Sequence, residues 1–284
     1  MHGLFLIDKS KDMTSYDVIR QLKKKFNFTK IGHAGTLDPF ATGLLIVLVG
    51  HATKLSNLFL TSNKKYEVTI RFGQHTSTYD YIGQVLKEDT TIINQKDIQD
   101  TLPLLSHYQQ EPPMVSAIKL NGKKLYELAR EGKEVEREKR FVTLYEQDIA
   151  DYQYPLLNMN LHVSKGTYIR SYAVDLARHL QTYAHITQLR RVQSGQFDIS
   201  LAKTLENVTL EDLIPVETLL DQYPKITVTP FIASKIKHGL LLDHRQFKGS
   251  SPFCVYNEDQ QFIAFYEPKN ELEYKIVFFN EDTL

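Results

Sequence analysis

The stretch Gly32-His33-Ala34-Gly35-Thr36-Leu37-Asp38-Pro39-Phe40-Ala41-Thr42-Gly43 constrains this chain more than any other. It sets three glycines and a proline around a single carboxylate. Glycine permits positive φ and close backbone approach. Pro39 fixes its own φ and biases Asp38 towards an extended conformation. The run Leu44-Leu45-Ile46-Val47-Leu48-Val49 follows at once and is closed by Gly50. A short, unbroken apolar run rich in branched chains predicts a buried strand. Asp38 is therefore expected on a stiff loop at the lip of a core strand. An acid placed there either hydrogen-bonds its own turn or serves as a fixed reactive group.

The remaining segments are read in chain order. Leu4 to Ile7 predicts a short strand. Thr14-Ser15-Tyr16-Asp17 has the form of a capping box, hydroxyl first and acid three residues on. Val18, Ile19, Leu22 and Phe26 then share one helical face. Lys64 to Gly73 alternates, so Tyr66, Val68, Ile70 and Phe72 share one face of a strand. From spacing alone Tyr66 reads as a core aromatic with a satisfied hydroxyl; the functional reading is an aromatic wall for a stacked base. Residues 84–110 are polar, with a short helix near Ile98, Leu102 and Leu105. Leu157, Met159, Leu161 and Val163 alternate as another strand. Gly166 supplies a turn, Thr167 is placed to cap a helix, and Val174, Leu176, Ala177 and Leu180 continue that helix. Pro224 marks a change of character. Beyond it come a short helix, Phe231 to His238, and strand-like runs at Phe253–Val255, Phe262–Phe265 and Ile276–Phe279.

The bulk numbers narrow the class. A chain of 284 residues suffices for one large domain and a small one. A single cysteine, Cys254, excludes an internal disulfide framework and a thiolate metal cluster, and suits a reducing cytosol. The first residues carry no basic segment and too short an apolar run for a signal peptide. No run approaches a membrane span. Lys plus Arg total 34 and Asp plus Glu total 34, a balance that does not by itself favour nucleic acid. Distribution matters more. Residues 9–30 carry Lys9, Lys11, Arg20, Lys23, Lys24, Lys25 and Lys30 against Asp12 and Asp17. Beside the glycine loop, such a run is either a solvated face or a phosphate-facing wall.

Gly-His-Ala-Gly-Thr-Leu-Asp-Pro-x-Ala-x-Gly-x-Leu, positions 32–45, resembles the signature of the TruB family, the bacterial tRNA pseudouridine-55 synthases. Lys64-x-Tyr66 resembles the family's second motif. Ser164-Lys165-Gly166-Thr167-Tyr168-Ile169-Arg170 resembles its third, and Ala184-His185 to Leu189-Arg190-Arg191 a later segment. Pro112-Pro113 with Ser116-Ala117 and Lys119 also matches. The sequence departs from the pattern at Ser10, Asp12, Ser77 and Val115, where Pro, Gly, Asp and Tyr are usual.

By resemblance, Asp38 is the catalytic nucleophile and Arg170 the cation that holds it ionised. Tyr66 stacks on the target uracil and is the nearest candidate to help remove its C5 proton. Tyr168 and Leu189 line the nucleoside pocket, and His33 fills the position vacated by the flipped base. Lys9 is a support near the site. Lys9, Lys64, Lys119, Arg130 and Arg190 are candidates for RNA backbone contact. The resemblance implies an α+β pseudouridine-synthase fold. It has a mixed, mostly antiparallel central sheet flanked by helices over residues 1–222, and a small PUA-like β-rich module over 226–284. It implies conversion of uridine 55 to pseudouridine in the T-arm of tRNA, in the cytoplasm, by a monomer without cofactor or metal. The competing reading is a non-catalytic RNA-binding protein or tRNA-folding chaperone on the same fold. An unrelated Asp-nucleophile hydrolase fits less well, because Asp38 precedes its hydrophobic strand. Dinucleotide binding lacks the G-x-G-x-x-G spacing.

Overall fold

The computed structural model describes residues 1–284 except Asn121, Glu281, Asp282 and Leu284. Its frame is a ten-stranded sheet. The strands used below are β1 (Gly3–Lys9), β2 (Ile31–Ala34), β3 (Thr42–Val49), β4 (Lys64–Phe72), β5 (His107–Gln110), β6 (Arg140–Gln153), β7 (Leu156–Val163), β8 (Ala184–Ser194) and β9 (Ile214–Pro215). They run in the order β9-β1-β3-β8-β4-β7-β6-β5. β2 lies on β3, and a short strand at Phe197–Asp198 lies on β8. All neighbours are antiparallel except β3 and β8, which meet in parallel at Thr42–Arg190 and Gly43–Arg191. The expected mixed, mostly antiparallel sheet is what the chain forms.

That parallel contact explains one glycine. Gly43 has φ +100°, and a Cβ there would collide with the backbone of Arg191. Only glycine lets the end of the signature loop pass so close to β8. The signature is also less of a loop than its glycines suggest. Ile31–Ala34 pairs with β3 as a strand, leaving Gly35 to Ala41 as the connection that carries Asp38.

Helix α1 (Ser15–Phe26) starts at the predicted capping box. The Thr14 hydroxyl accepts from the Asp17 amide at 3.0 Å, and the Asp17 carboxylate accepts from the Thr14 amide at 2.9 Å. Ser15, Val18, Ile19 and Leu22 are buried, and the Phe26 ring stacks on Phe5 at 5.7 Å. Each buried branched side chain there stabilises by about 2 kcal/mol.

Helix α2 (Ile169–His179) differs from expectation at its start. Thr167 does not cap it. Its hydroxyl turns back to the Ser164 carbonyl at 2.9 Å, and Tyr168 occupies the cap position without a side-chain cap bond. β6 is not anticipated from the sequence. Its alternation is broken by register shifts between Leu144 and Glu146 and between Ile149 and Asp151, which hide a period of two.

Alternation in β1 and β3 divides the core. Phe5, Ile7, Leu45 and Val47 face α1 and the body of the sheet. Leu4, Leu6, Leu44, Ile46 and Leu48 point the other way, and pack with Cys254, Phe262, Phe265 and Phe278. Those last residues belong to a second sheet of five strands: β10 (Lys225–Thr227), β11 (Leu242–Asp243), β12 (Phe253–Tyr256), β13 (Phe262–Pro268) and β14 (Glu273–Phe279). Its order is β10-β12-β13-β14-β11. The C-terminal β-rich unit is thus seated on the back of the strands that present the signature loop. No helix among the described residues is long and apolar enough to cross a membrane.

Candidate active site

Asp38 reaches across the fold to the first turn of α2. Arg170 Nε donates to Asp38 Oδ2 at 2.8 Å, and Nη2 donates to Oδ1 at 2.9 Å. This is the two-point geometry in which a planar guanidinium matches a carboxylate. Both carboxylate oxygens accept N–H bonds, an arrangement suited to the ionised acid. Arg170 is 3% exposed, whereas the Asp38 side chain is 30% exposed and meets the cleft. Burial pushes the Asp38 carboxyl above its usual range, and the Arg170 guanidinium opposes that shift.

Arg170 is held by more than its partner. Nη1 donates to the Thr78 carbonyl at 3.1 Å and Nη2 also donates to the Val115 carbonyl at 2.9 Å. A second carboxylate, Asp80 Oδ2, stands 4.0 Å from Nη1. Asp80 Oδ1 accepts from the Thr78 hydroxyl at 2.6 Å and the Ile82 amide at 3.0 Å, fixing the turn that offers the Thr78 carbonyl. The sequence reading assigned Asp80 no chemistry. Its signal was the Thr78-x-Asp80-x-x-Gly83 spacing, a turn whose proximity to Arg170 only the fold reveals.

The cleft beside this pair has a volume of about 300 Å³. Asp38, Lys64, Tyr66, Tyr168, Arg170 and Leu189 all line it, so six of the predicted residues, far apart in sequence, come together. Ser116 and Ala117 close one side. Tyr168 stays a neutral phenol, because burial raises its hydroxyl. The Arg140 guanidinium lies 6.0 Å from the Tyr168 ring centre. A larger depression of about 890 Å³ lies along Glu67, Thr69, Asn158 and Arg190 and includes neither Asp38 nor Arg170. It is not the reacting site.

His33 is outside the cleft lining, on β2, with a buried Nδ1 that has no hydrogen-bond partner. Burial and the Arg191 guanidinium hold its pKa down. Lys9 is fully buried and donates to the carbonyls of Ser10, Met13 and Pro39 at 2.9, 2.8 and 3.2 Å. Lys64 donates to the carbonyls of Phe59, Leu60 and Ser62 at 3.1, 3.2 and 2.6 Å. An ammonium has three donors, so both lysines are saturated inside the protein rather than free for phosphate. Desolvation lowers each to about 8. Arg190 is paired at two points with Asp8, at 3.0 and 2.7 Å. Arg130 is exposed, over the Tyr126 ring. The Lys119 side chain lies outside what the structure describes.

Arg191, at the end of the later matching segment, is a buried structural residue. It is 2% exposed, donating from Nε to the Leu44 carbonyl at 2.7 Å and from Nη2 to the Gly35 carbonyl at 3.0 Å. Arg191 thereby grips both ends of the signature loop while Lys9 grips its middle at Pro39. Ser15 adds a pair of bonds to Leu37, at 2.9 and 3.2 Å. Rigid presentation of Asp38 follows from these buried donors.

Comparison with known proteins bears on the family and the fold. A model of the TruB family pseudouridylate synthase N-terminal domain matches residues 23–169, and one of the tRNA pseudouridylate synthase B C-terminal domain matches 170–230. The chain is 40% identical to the tRNA pseudouridine synthase B of Acholeplasma laidlawii, over 98% of this chain and 99% of that protein. It is 34% identical to that of Neisseria meningitidis serogroup B, over 96% and 92%. A solved Cbf5–Nop10–Gar1 complex superposes with a TM-score of 0.70 at 21% identity, over 98% of this chain and 84% of that one. At that identity the likeness speaks for the fold.

Proposed function

The chain belongs to the TruB family of pseudouridylate synthases, and on that premise we propose that it converts uridine 55 in the T-loop of tRNA to pseudouridine, with Asp38 as the nucleophile. The enzyme class, a pseudouridine synthase, follows from the family. The choice of uridine 55 rests on the family, and the role of Asp38 is carried by one observation: the Asp38–Arg170 clamp opens onto a cleft walled by Tyr66, Tyr168 and Leu189.

The reaction is an isomerisation and needs no net oxidant. The N1–C1′ bond breaks, a C5–C1′ bond forms, the C5 proton leaves and N1 gains a proton. The target uridine first leaves its stack, at a cost of a few kcal/mol. T-loop bases suit this, because loop nucleotides splay out more readily than paired ones. In the cleft the uracil lies between Tyr66 and Leu189. Asp38 attacks the bound nucleotide, and the bond it forms breaks again as C5 joins C1′, which returns the free carboxylate. Arg170 keeps that carboxylate ionised despite burial, and aimed by its fixed geometry. The detached uracil turns within the walls, re-forms the bond through C5, and loses its C5 proton with Tyr66 as the nearest base.

Residues 1–222 form the catalytic domain on this reading, and 226–284 a PUA-like module that adds RNA contact. The enzyme works as a monomer where tRNA resides, in the cytoplasm. A non-catalytic RNA chaperone on the same fold has less support, since nothing selects for a two-point Arg–Asp clamp in a protein that only binds.

Position specificity is tested with T-arm hairpins carrying tritium at C5 of one uridine at a time. Release only from the uridine equivalent to position 55 supports the reading. Release from other uridines at a similar rate overturns the assignment of substrate.

A further inference from the structure

A hydrogen-bonded chain runs from the wall of α2 to the residue at its start, and nothing in the proposed chemistry uses it. Gln110, at the end of β5, is 0% exposed. Its Oε1 accepts from the Tyr168 amide at 2.7 Å, and its Nε2 donates to the Tyr108 hydroxyl at 2.7 Å. That hydroxyl donates to Asp175 Oδ2 at 3.1 Å, one turn and more along α2. The chain has a single direction. A carbonyl must face Tyr168 and a donor must face Tyr108, so only a side chain with both, in that order, completes it.

The neighbouring residues make the same connection. The Ser171 hydroxyl donates to the Glu111 carbonyl at 2.8 Å, and Arg170 Nη2 donates to the Val115 carbonyl at 2.9 Å. The segment from Tyr108 to Val115 is therefore bonded to positions 168, 170, 171 and 175. Tyr168 is the N-cap residue of α2, makes no side-chain cap bond, and is a wall of the cleft. In a capping box the N-cap amide is bonded by the side chain three residues on, and here Gln110 accepts it from another strand.

We propose that Gln110, anchored through Tyr108 to Asp175, is a positioning residue for the isomerisation. It sets the backbone at Tyr168 and so fixes both the Tyr168 ring in the cleft and the angle at which Arg170 leaves α2 to clamp Asp38. This rests on the functional reading above. Wild-type tritium release from the position-55 substrate tests that reading by itself, and only a wild-type enzyme that turns over gives the variants meaning.

The test compares Gln110→Met, Gln110→Glu and Tyr108→Phe in the full chain, by single-turnover tritium release, hairpin binding and thermal melting. Gln110→Met should slow release at least tenfold per folded molecule while hairpin affinity changes less than threefold. Tyr108→Phe, a smaller lesion that leaves the Tyr168 bond in place, should slow release three- to tenfold. Gln110→Glu is the discriminating variant. When protonated, its carboxyl accepts from Tyr168 and donates to Tyr108 as the amide does. Once ionised it can only accept. Its rate relative to wild type should therefore fall as pH rises from about 5 to 9. The groups facing this chain are Asp175, Arg178, His179 and the Tyr172 phenol on α2, and Glu111 on its own segment. Wild type carries all of them, so the ratio removes their titration. The proposal is overturned by wild-type rates in Gln110→Met, by rate losses that match the unfolded fraction, or by a Gln110→Glu ratio that is flat with pH. If Gln110→Met does not fold, the pH ratio and Tyr108→Phe decide.

Discussion

Arg170 binds Asp38 at two points, 2.8 and 2.9 Å, while two of its three remaining N–H groups are held by the Thr78 and Val115 carbonyls. A guanidinium has the planar fork for this and an ammonium does not. Arg170→Lys keeps the charge and loses the fork. Single-turnover release should fall about 100-fold, roughly 2.7 kcal/mol of transition-state stabilisation, with RNA affinity within tenfold. Release within a factor of three of wild type would show that charge alone suffices.

The acid limb of the rate profile reports Asp38. Its carboxyl is raised by burial and pulled back by Arg170. The nucleophile must be ionised, so the rate should rise with pH through a value above that of an ordinary carboxylate. Removing the cation in Arg170→Met should move that limb to higher pH in the residual activity. A limb at or below pH 4, the ordinary carboxylate range, would contradict this.

Lys9 gives a stability prediction with a definite sign. Burial lowers it from 10.5 unfolded to about 8 folded. Between those values the unfolded chain binds more protons, so stability rises with pH there. Compared with Lys9→Met, wild type should gain up to about 3 kcal/mol between pH 8 and 10.5. Denaturant midpoints of the two proteins across that range measure it. Parallel curves would show that Lys9 does not titrate in this window.

Gly43 should tolerate nothing larger. At φ +100° a Cβ meets the Arg191 backbone, at the parallel contact that joins the signature loop to β8. Gly43→Ala should lose about 3 kcal/mol or more from strain and from lost pairing. A denaturant midpoint close to wild type would mean that β8 can withdraw without cost.

How much of this was legible depended on where the bonding partners lie. Asp38, Tyr66, Tyr168, Arg170 and Leu189 are side chains in long ordered motifs, and it was the family resemblance of those motifs that implied a shared cleft. The capping box of α1 was legible because both partners lie within four residues. The burial of Lys64 was not, because its partners are backbone carbonyls contributed by the fold, and a charge in sequence reads as surface; Lys9 was expected as a support near the site, but not its three carbonyl partners. Asp80 and Gln110 were missed for a similar reason. Their functions depend on Arg170 and Tyr168, about 90 and 58 residues away, and short-range spacing carries no such information. β6 was hidden by its bulges.

The central claim is that the Asp38 carboxylate performs the chemistry and does not merely shape the cleft. Asp38→Asn keeps the size and one acceptor oxygen but removes the charge. The direct measurement is single-turnover tritium release from a T-arm hairpin labelled at C5 of the target uridine, with hairpin affinity read on the same samples. The account predicts no release above background, with affinity within about tenfold of wild type, roughly 1.4 kcal/mol. Release at the wild-type rate from Asp38→Asn would contradict it.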